Sequence, residues 1–139
     1  MILFYEFLTL WFLFIYILDI GLNVTIINTY VLSMIISFFG LYITYYIKEL
    51  QIDNLQIKGH ELIIIDIIFH QLPFVYMLIN HNKFKNRYDV NSTFLTILFT
   101  CIYYIFIDIY KVYKFDKKKT RYMFLLTIIS VILFTTLLH

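Results

Sequence analysis

A chain of 139 residues in which 62% of side chains are hydrophobic and only 14% are charged carries more apolar surface than a soluble domain of that size could cover. Net charge is nearly balanced at +2 and Cys101 is the lone cysteine, which excludes an internal disulfide and leaves any electrostatic argument to the placement of the charges. The absence of Ala and the abundance of Ile, Phe, Tyr, Asn and Lys look like the imprint of an AT-rich genome, for which a viral, endosymbiont or parasite gene would fit. The expected fold class is all-α: a polytopic transmembrane helical bundle of about five spans, forming one integral membrane domain over residues 1–139.

A hydrocarbon core of about 30 Å calls for roughly 20 apolar residues per helix. The first span, residues 2–18, ends at the polar turn Asp19, Gly21 and Asn23. It has no basic leader and no small-residue cleavage site, so it reads as a retained anchor. The second span, 24–47, is free of charge until Lys48 and Glu49. Within it Ser33, Ser37, Gly40 and Thr44 recur at helical spacing, a narrow face that lets another helix approach closely. The third span is 62–80, the fourth 90–109 and the fifth 122–138. Uninterrupted runs of this length lack the alternation of barrel strands.

Five spans put Lys48, Lys58, Lys111, Lys114, Lys117, Lys118, Lys119 and Arg121 on one side and only Lys83, Lys85 and Arg87 on the other. The positive-inside rule then predicts a cytoplasmic amino terminus and a lumenal or extracellular carboxy terminus. Tyr42, Tyr45, Tyr46, Tyr110, Tyr113 and Tyr122 would form most of an aromatic belt at the cytoplasmic interface. The partner implied by composition is the lipid bilayer. No cofactor or metal is expected, since no glycine loop or paired Cys and His spacing occurs. Nor is nucleic acid, which has only one basic loop in its favour.

The third span is the chemically interesting one, because Asp66, His70 and Pro73 lie inside an otherwise lipid-compatible helix. Ionisable groups at that depth are costly and usually functional. At about 100° per residue, Asp66, His70, Pro73 and Met77 share one stripe. Four residues apart, the Asp66 carboxylate can accept from one imidazole nitrogen and leave the other facing the bundle, which is how a general base is prepared. The same pair could instead satisfy itself and clamp neighbouring helices. Thr9 and His70 fall at similar depth, about 10 to 12 Å from the cytoplasmic boundary. Thr127 and Ser130 lie at comparable depth in the fifth span. A polar cluster of Glu6, Thr9, Asp66, His70, Tyr104 and Asp108 is geometrically allowed.

The segment Phe69-His70-Gln71-Leu72-Pro73-Phe74, followed by a polar loop and a tyrosine-rich span, resembles the histidine region of the androgen-induced/FAR-17a-like family of polytopic membrane hydrolases. Glu6-Phe7-Leu8-Thr9 resembles the segment carrying that family's threonine. The resemblance covers about a third of the chain. It implies Thr9 as nucleophile, His70 as its base and a lipid ester as substrate; Asp66 as orienting partner comes from the spacing alone. Two readings of different class stand side by side: a small multi-pass membrane protein with a structural or interaction role, and an intramembrane threonine-dependent hydrolase of lipid esters. A less favoured third, an ion path through Glu6, Asp66, His70 and Asp108, would need a homo-oligomer with the Ser33 to Thr44 face as its seam.

Overall fold

Backbone groups with no water to pair with must pair with one another, so long apolar runs settle as helices. In the computed structural model, which describes residues 7–52, 54–108 and 116–138, they do so in the order α1 (Leu8–Leu22), α2 (Thr29–Leu41), β1 (Glu49–Ile52), β2 (Leu55–Lys58), α3 (His60–Asp66), α4 (Leu72–Ile79), α5 (His81–Lys85), α6 (Val90–Phe106) and α7 (Lys117–Leu138). Two π-helical segments interrupt the α geometry. Tyr42–Ile47 continues α2, and Ile67–Gln71 joins α3 to α4.

Three continuous helical stretches, Thr29–Ile47, His60–Ile79 and Lys117–Leu137, are long and apolar enough to cross a membrane. α1 and α6 are apolar but shorter, at 15 and 17 residues. At 1.5 Å per residue they reach about 22 and 25 Å.

Several boundaries differ from those expected. α1 runs through Asp19 to Leu22 and stops at Asn23, whose positive φ of 58° closes the helix with its N–H on the Asp19 carbonyl. Asp19 sits inside the helix with its carboxylate paired to Arg87 and Tyr88. α2 starts at Thr29 because Asn28 caps it, accepting from Val31 N at 3.1 Å. α7 begins at Lys117 because Asp116 caps it, accepting from Lys119 N at 2.6 Å. The loop after the second span folds as a hairpin, so the fold is not purely α-helical. Glu49 pairs with Lys58, Leu50 with Ile57, Gln51 with Gln56 and Ile52 with Leu55. The signal was present in the alternation of Glu-Leu-Gln-Ile and Leu-Gln-Ile-Lys around Asp-Asn.

α2 is the axis of the bundle, packed against α1, α4, α6 and α7. Tyr30, Val31, Leu32, Met34, Ile35, Ile36 and Phe39 are all buried along it. A helix apolar on every side belongs in the middle. Its small face is buried too, with Ser33, Ser37, Gly40 and Thr44 turned inward. Within the chain, Ser37 of that face meets Gln71 and Gly40 meets Asp66 and His70. Of the expected aromatic belt, Tyr45, Tyr46 and Tyr122 are exposed, while Tyr110 and Tyr113 lie outside the described residues.

Candidate active site

Pro73 has no N–H to give to the Phe69 carbonyl and its ring crowds that carbonyl. The chain absorbs this with the π-helical turn Ile67–Gln71, in which Leu72 N–H bonds to the Ile67 carbonyl. The wider turn brings two side chains, His70 and Gln71, back over Asp66. His70 Nδ1 donates to Asp66 Oδ1 at 2.8 Å. Gln71 Nε2 donates to both carboxylate oxygens, at 3.1 and 3.2 Å. Asp66 is almost wholly buried, and the His70 side chain is 12% exposed.

α2 holds this group from the opposite side. Ser37 Oγ donates to Gln71 Oε1 at 2.6 Å, and Gln71 Nε2 donates back to the Ser37 carbonyl at 3.0 Å. One turn along, Gly40 leaves the space into which Asp66 and His70 fit: a Cβ there would overlap Asp66 Oδ1 and His70 Nδ1. The close approach requires glycine.

α1 supplies the third member. Thr9 Oγ1 lies 3.0 Å from His70 Nε2. In the tautomer that places the proton on Nδ1, toward Asp66, Nε2 accepts a hydrogen bond from the threonine hydroxyl. The start of α1 is pinned by α6, because Tyr103 hydroxyl accepts from Leu8 N at 3.1 Å, satisfying a donor that the helix terminus leaves open. Thr9, His70 and Asp66 are thus linked in series, as nucleophile, base and orienting carboxylate would be.

The series borders a cleft of about 270 Å³. Its walls are Phe7, Leu10 and Leu13 of the α1 region, Phe39 and Ile43 of α2 and its continuation, and Leu62, Ile65 and Phe69 around α3, with Leu50 and Ile57 of the hairpin. The polar side chains that line it are Thr9, Thr44, Asp66 and His70. Leu10 and Phe69 are each 40% exposed, so the cleft has one edge on the outer surface of the bundle.

The wider cluster expected from depth separates. Tyr104 stacks on Phe124 with ring centroids 4.2 Å apart and borders a different groove, which it shares with Asp108, Lys117 and Arg121. Thr127 donates to the Met123 carbonyl; Ser130 makes no part of the cleft lining, and Glu6 lies outside the described residues. Sequence reasoning missed Gln71, Gly40's role and Tyr103. Gln71 was hidden because five residues at about 100° carry it some 140° from Asp66 on a regular helix. The proline was the signal that the helix would not be regular.

A second charged cluster sits at the other end of α1. Asp19, fully buried, accepts from Arg87 Nε at 2.8 Å and Nη2 at 2.5 Å, and from the Tyr88 hydroxyl. Arg87 Nη2 also donates to the Asp19 carbonyl at 2.8 Å. Burial, and after it the bond to Asp19, hold the Tyr88 hydroxyl well above the usual phenol range. Among the described residues, no group of three or more His, Cys, Asp or Glu side chains is arranged to hold a metal ion. Compared with known proteins, the chain matches no family model, no curated protein and no solved structure.

Proposed function

We propose that this protein is an intramembrane hydrolase of lipid esters in which Thr9 is the nucleophile, His70 the general base and Asp66 the carboxylate that orients the histidine. The observation that carries this reading is the 3.0 Å approach of Thr9 Oγ1 to His70 Nε2 at the wall of an apolar cleft. A threonine hydroxyl is a weak nucleophile until a base takes its proton, and this one is paired with an imidazole whose tautomer Asp66 sets.

In the first half-reaction Thr9 Oγ attacks the acyl carbon, and its proton passes to His70 Nε2. The carbonyl π pair moves to oxygen and returns to expel the alcohol, which takes the proton from His70. Water then attacks the acyl-threonine, His70 accepts the water's proton and returns it to Thr9 Oγ, and the fatty acid leaves. The cleft volume lies just below the range of about 300–1,000 Å³ typical of small-ligand sites. It suits a single acyl chain, entering from lipid past Leu10 and Phe69, better than a whole two-chain lipid.

The assignment of Thr9 and His70 is the one that the resemblance to the androgen-induced family implies. The five-span arrangement belongs to this proposal, with α1 and α6 as the two short crossings and the amino terminus cytoplasmic. So does the placement of the hairpin and the Lys117 to Arg121 end of α7 on that side.

A fluorophosphonate probe reacting with the full chain in detergent tests the reading. Wild type takes the label and Thr9→Val does not; an unlabelled wild type, or equal labelling of the two, sinks it. A purely structural role has one observation in its favour, the paired Gln71 and Ser37 bonds that tie α2 to the third helix. That role predicts a His70→Leu protein with a lowered melting temperature and, like wild type, no label.

A further inference from the structure

An acyl transfer needs a donor for the charge that develops on the carbonyl oxygen as well as a nucleophile and a base. We infer that Thr44 supplies it: its hydroxyl donates a hydrogen bond to the substrate carbonyl as that oxygen becomes negative. The inference rests on the hydrolase reading above and adds to it the group that binds the oxyanion.

Three observations point to Thr44. It lines the same cleft as Thr9 and His70. Its side chain is buried, the residue being 8% exposed, and Oγ1 is the one buried side-chain polar atom without a hydrogen-bond partner among the described residues. A buried hydroxyl left unpaired costs stability, and such a group calls for a reason.

The third observation is what the other threonines do. Thr96, Thr100, Thr127 and Thr135 each donate to the carbonyl four residues back, at 2.7 to 2.9 Å. This is the usual resting place for a helical threonine hydroxyl. Thr44 lies instead in the π-helical segment Tyr42–Ile47, where the carbonyl four residues back, that of Gly40, is not its partner. Short π-helical segments gather at functional sites, and here one carries Thr44 while the other carries His70. Gly40, one turn before Thr44, is the residue against which Asp66 and His70 close. The segment Ile67–Gln71 packs on α2 and the segment Tyr42–Ile47 on α3, and residues of both line the cleft.

The hydroxyl has the freedom the role needs. Threonine divides between two χ1 rotamers in helices, so a side chain already lining the cleft can turn Oγ1 toward a bound ester without moving the backbone. In the ground state the carbonyl is a modest acceptor. In the tetrahedral intermediate, after Thr9 Oγ has bonded to carbon and its proton has gone to His70, the oxygen carries the full charge and the bond strengthens. That difference between ground and transition state is what accelerates a reaction.

The test uses the full chain in detergent micelles with 4-nitrophenyl octanoate as substrate, comparing wild type, Thr44→Val and Thr44→Ser. The expected result is a fall in kcat of about 10²–10³-fold for Thr44→Val, with KM little changed and a melting temperature equal to or above wild type. Thr44→Ser, which keeps the hydroxyl, recovers most of the rate. A Thr44→Val protein that turns over like wild type overturns the assignment to Thr44 alone. Equal loss of rate in both variants with lowered melting temperatures also overturns it, by assigning Thr44 to packing. A wild type that neither hydrolyses the ester nor takes the fluorophosphonate label removes the hydrolase reading and this inference together.

Discussion

α1 carries a reactive-type side chain near each end, Thr9 and Asp19, about 15 Å apart along the helix, and the bundle treats them in opposite ways. At Asp19 the carboxylate meets Arg87 twice and Tyr88 once, and the guanidinium also takes the Asp19 carbonyl. Charge is neutralised, the acceptors are engaged, and the result is a clamp that joins α1 to the segment before α6. At Thr9 the hydroxyl meets a histidine that is itself held by Asp66, and the group borders an apolar cleft. Saturated polar clusters hold a fold together, whereas under the hydrolase proposal a chain of polar groups ending at a hydroxyl beside open space acts on a substrate. Each cluster is built around one buried carboxylate, and they differ in what surrounds it: Asp19 is fully enclosed, whereas Asp66, with Thr9 and His70, lines an apolar cleft.

The contrast breaks most visibly at the nucleophile. Thr9→Val should lower ester turnover by about 10⁶-fold, as when the nucleophile of a hydrolytic triad is removed, with the melting temperature close to wild type; an assay of kcat beside a thermal scan separates the two effects. Asp66→Asn should come next, with a fall in kcat of about 10⁴-fold, because an amide there favours the wrong histidine tautomer. Full activity in that variant would show that Asp66 orients nothing.

At the other end the expected effect is on stability. Arg87→Leu leaves the Asp19 carboxylate buried without its counter-ion, which should destabilise the protein by about 3–5 kcal/mol. Replacing both Asp19 and Arg87 by leucine should restore most of that, and the activity per folded molecule should not change in either. If Arg87→Leu melts like wild type, the clamp is not structural. Gly40→Ala brings the two kinds of effect together: overpacking of about 1–3 kcal/mol, and a loss of turnover because Asp66 and His70 are pushed off their positions. A Gly40→Ala protein with wild-type kcat would mean that the approach to α2 is not needed to hold the base.

The smallest effect is in pH. The Tyr88 hydroxyl is raised above its ordinary range, by burial first and by the bond to Asp19 second. A group whose folded pKa exceeds the unfolded one stabilises fully below the unfolded value, about 10 for tyrosine, and loses that contribution as pH rises through the folded value. Thermal scans at pH 8 to 11 should show a decline above about pH 10 that is shallower in Tyr88→Phe. Identical slopes for the two proteins would assign the decline to other groups.

Much of the candidate site was legible because it is local or repetitive. Asp66 and His70 are four residues apart, and a spacing of that kind means contact on any helix. Ser33, Ser37, Gly40 and Thr44 announce a close helix neighbour by their size and period. Thr9 and His70 could be matched in depth by counting rise per residue, although counting could not tell that their helices touch. Gln71 was out of reach because its position depends on a π-helical turn rather than a regular one. Tyr103, not Tyr104, meets α1, and only the rotation of α6 in the bundle distinguishes neighbours one residue apart. The pairing of Asp19 with Arg87 joins residues 68 positions apart, and no periodicity spans that distance.

Solvation and local geometry, both written in the order of residues, dictate part of this protein without help from the fold. Apolar runs too long for a soluble core become helices, three of them long enough to cross a membrane, and a carboxylate and an imidazole one turn apart become a pair. Which polar groups meet across helices was settled by packing. It placed α2 at the centre, set Gly40 against Asp66 and His70, and left Thr9 beside a cleft while enclosing Asp19. Those outcomes depend on the angular position and relative height of each helix, which come from the fit of all the side chains together and from no single segment.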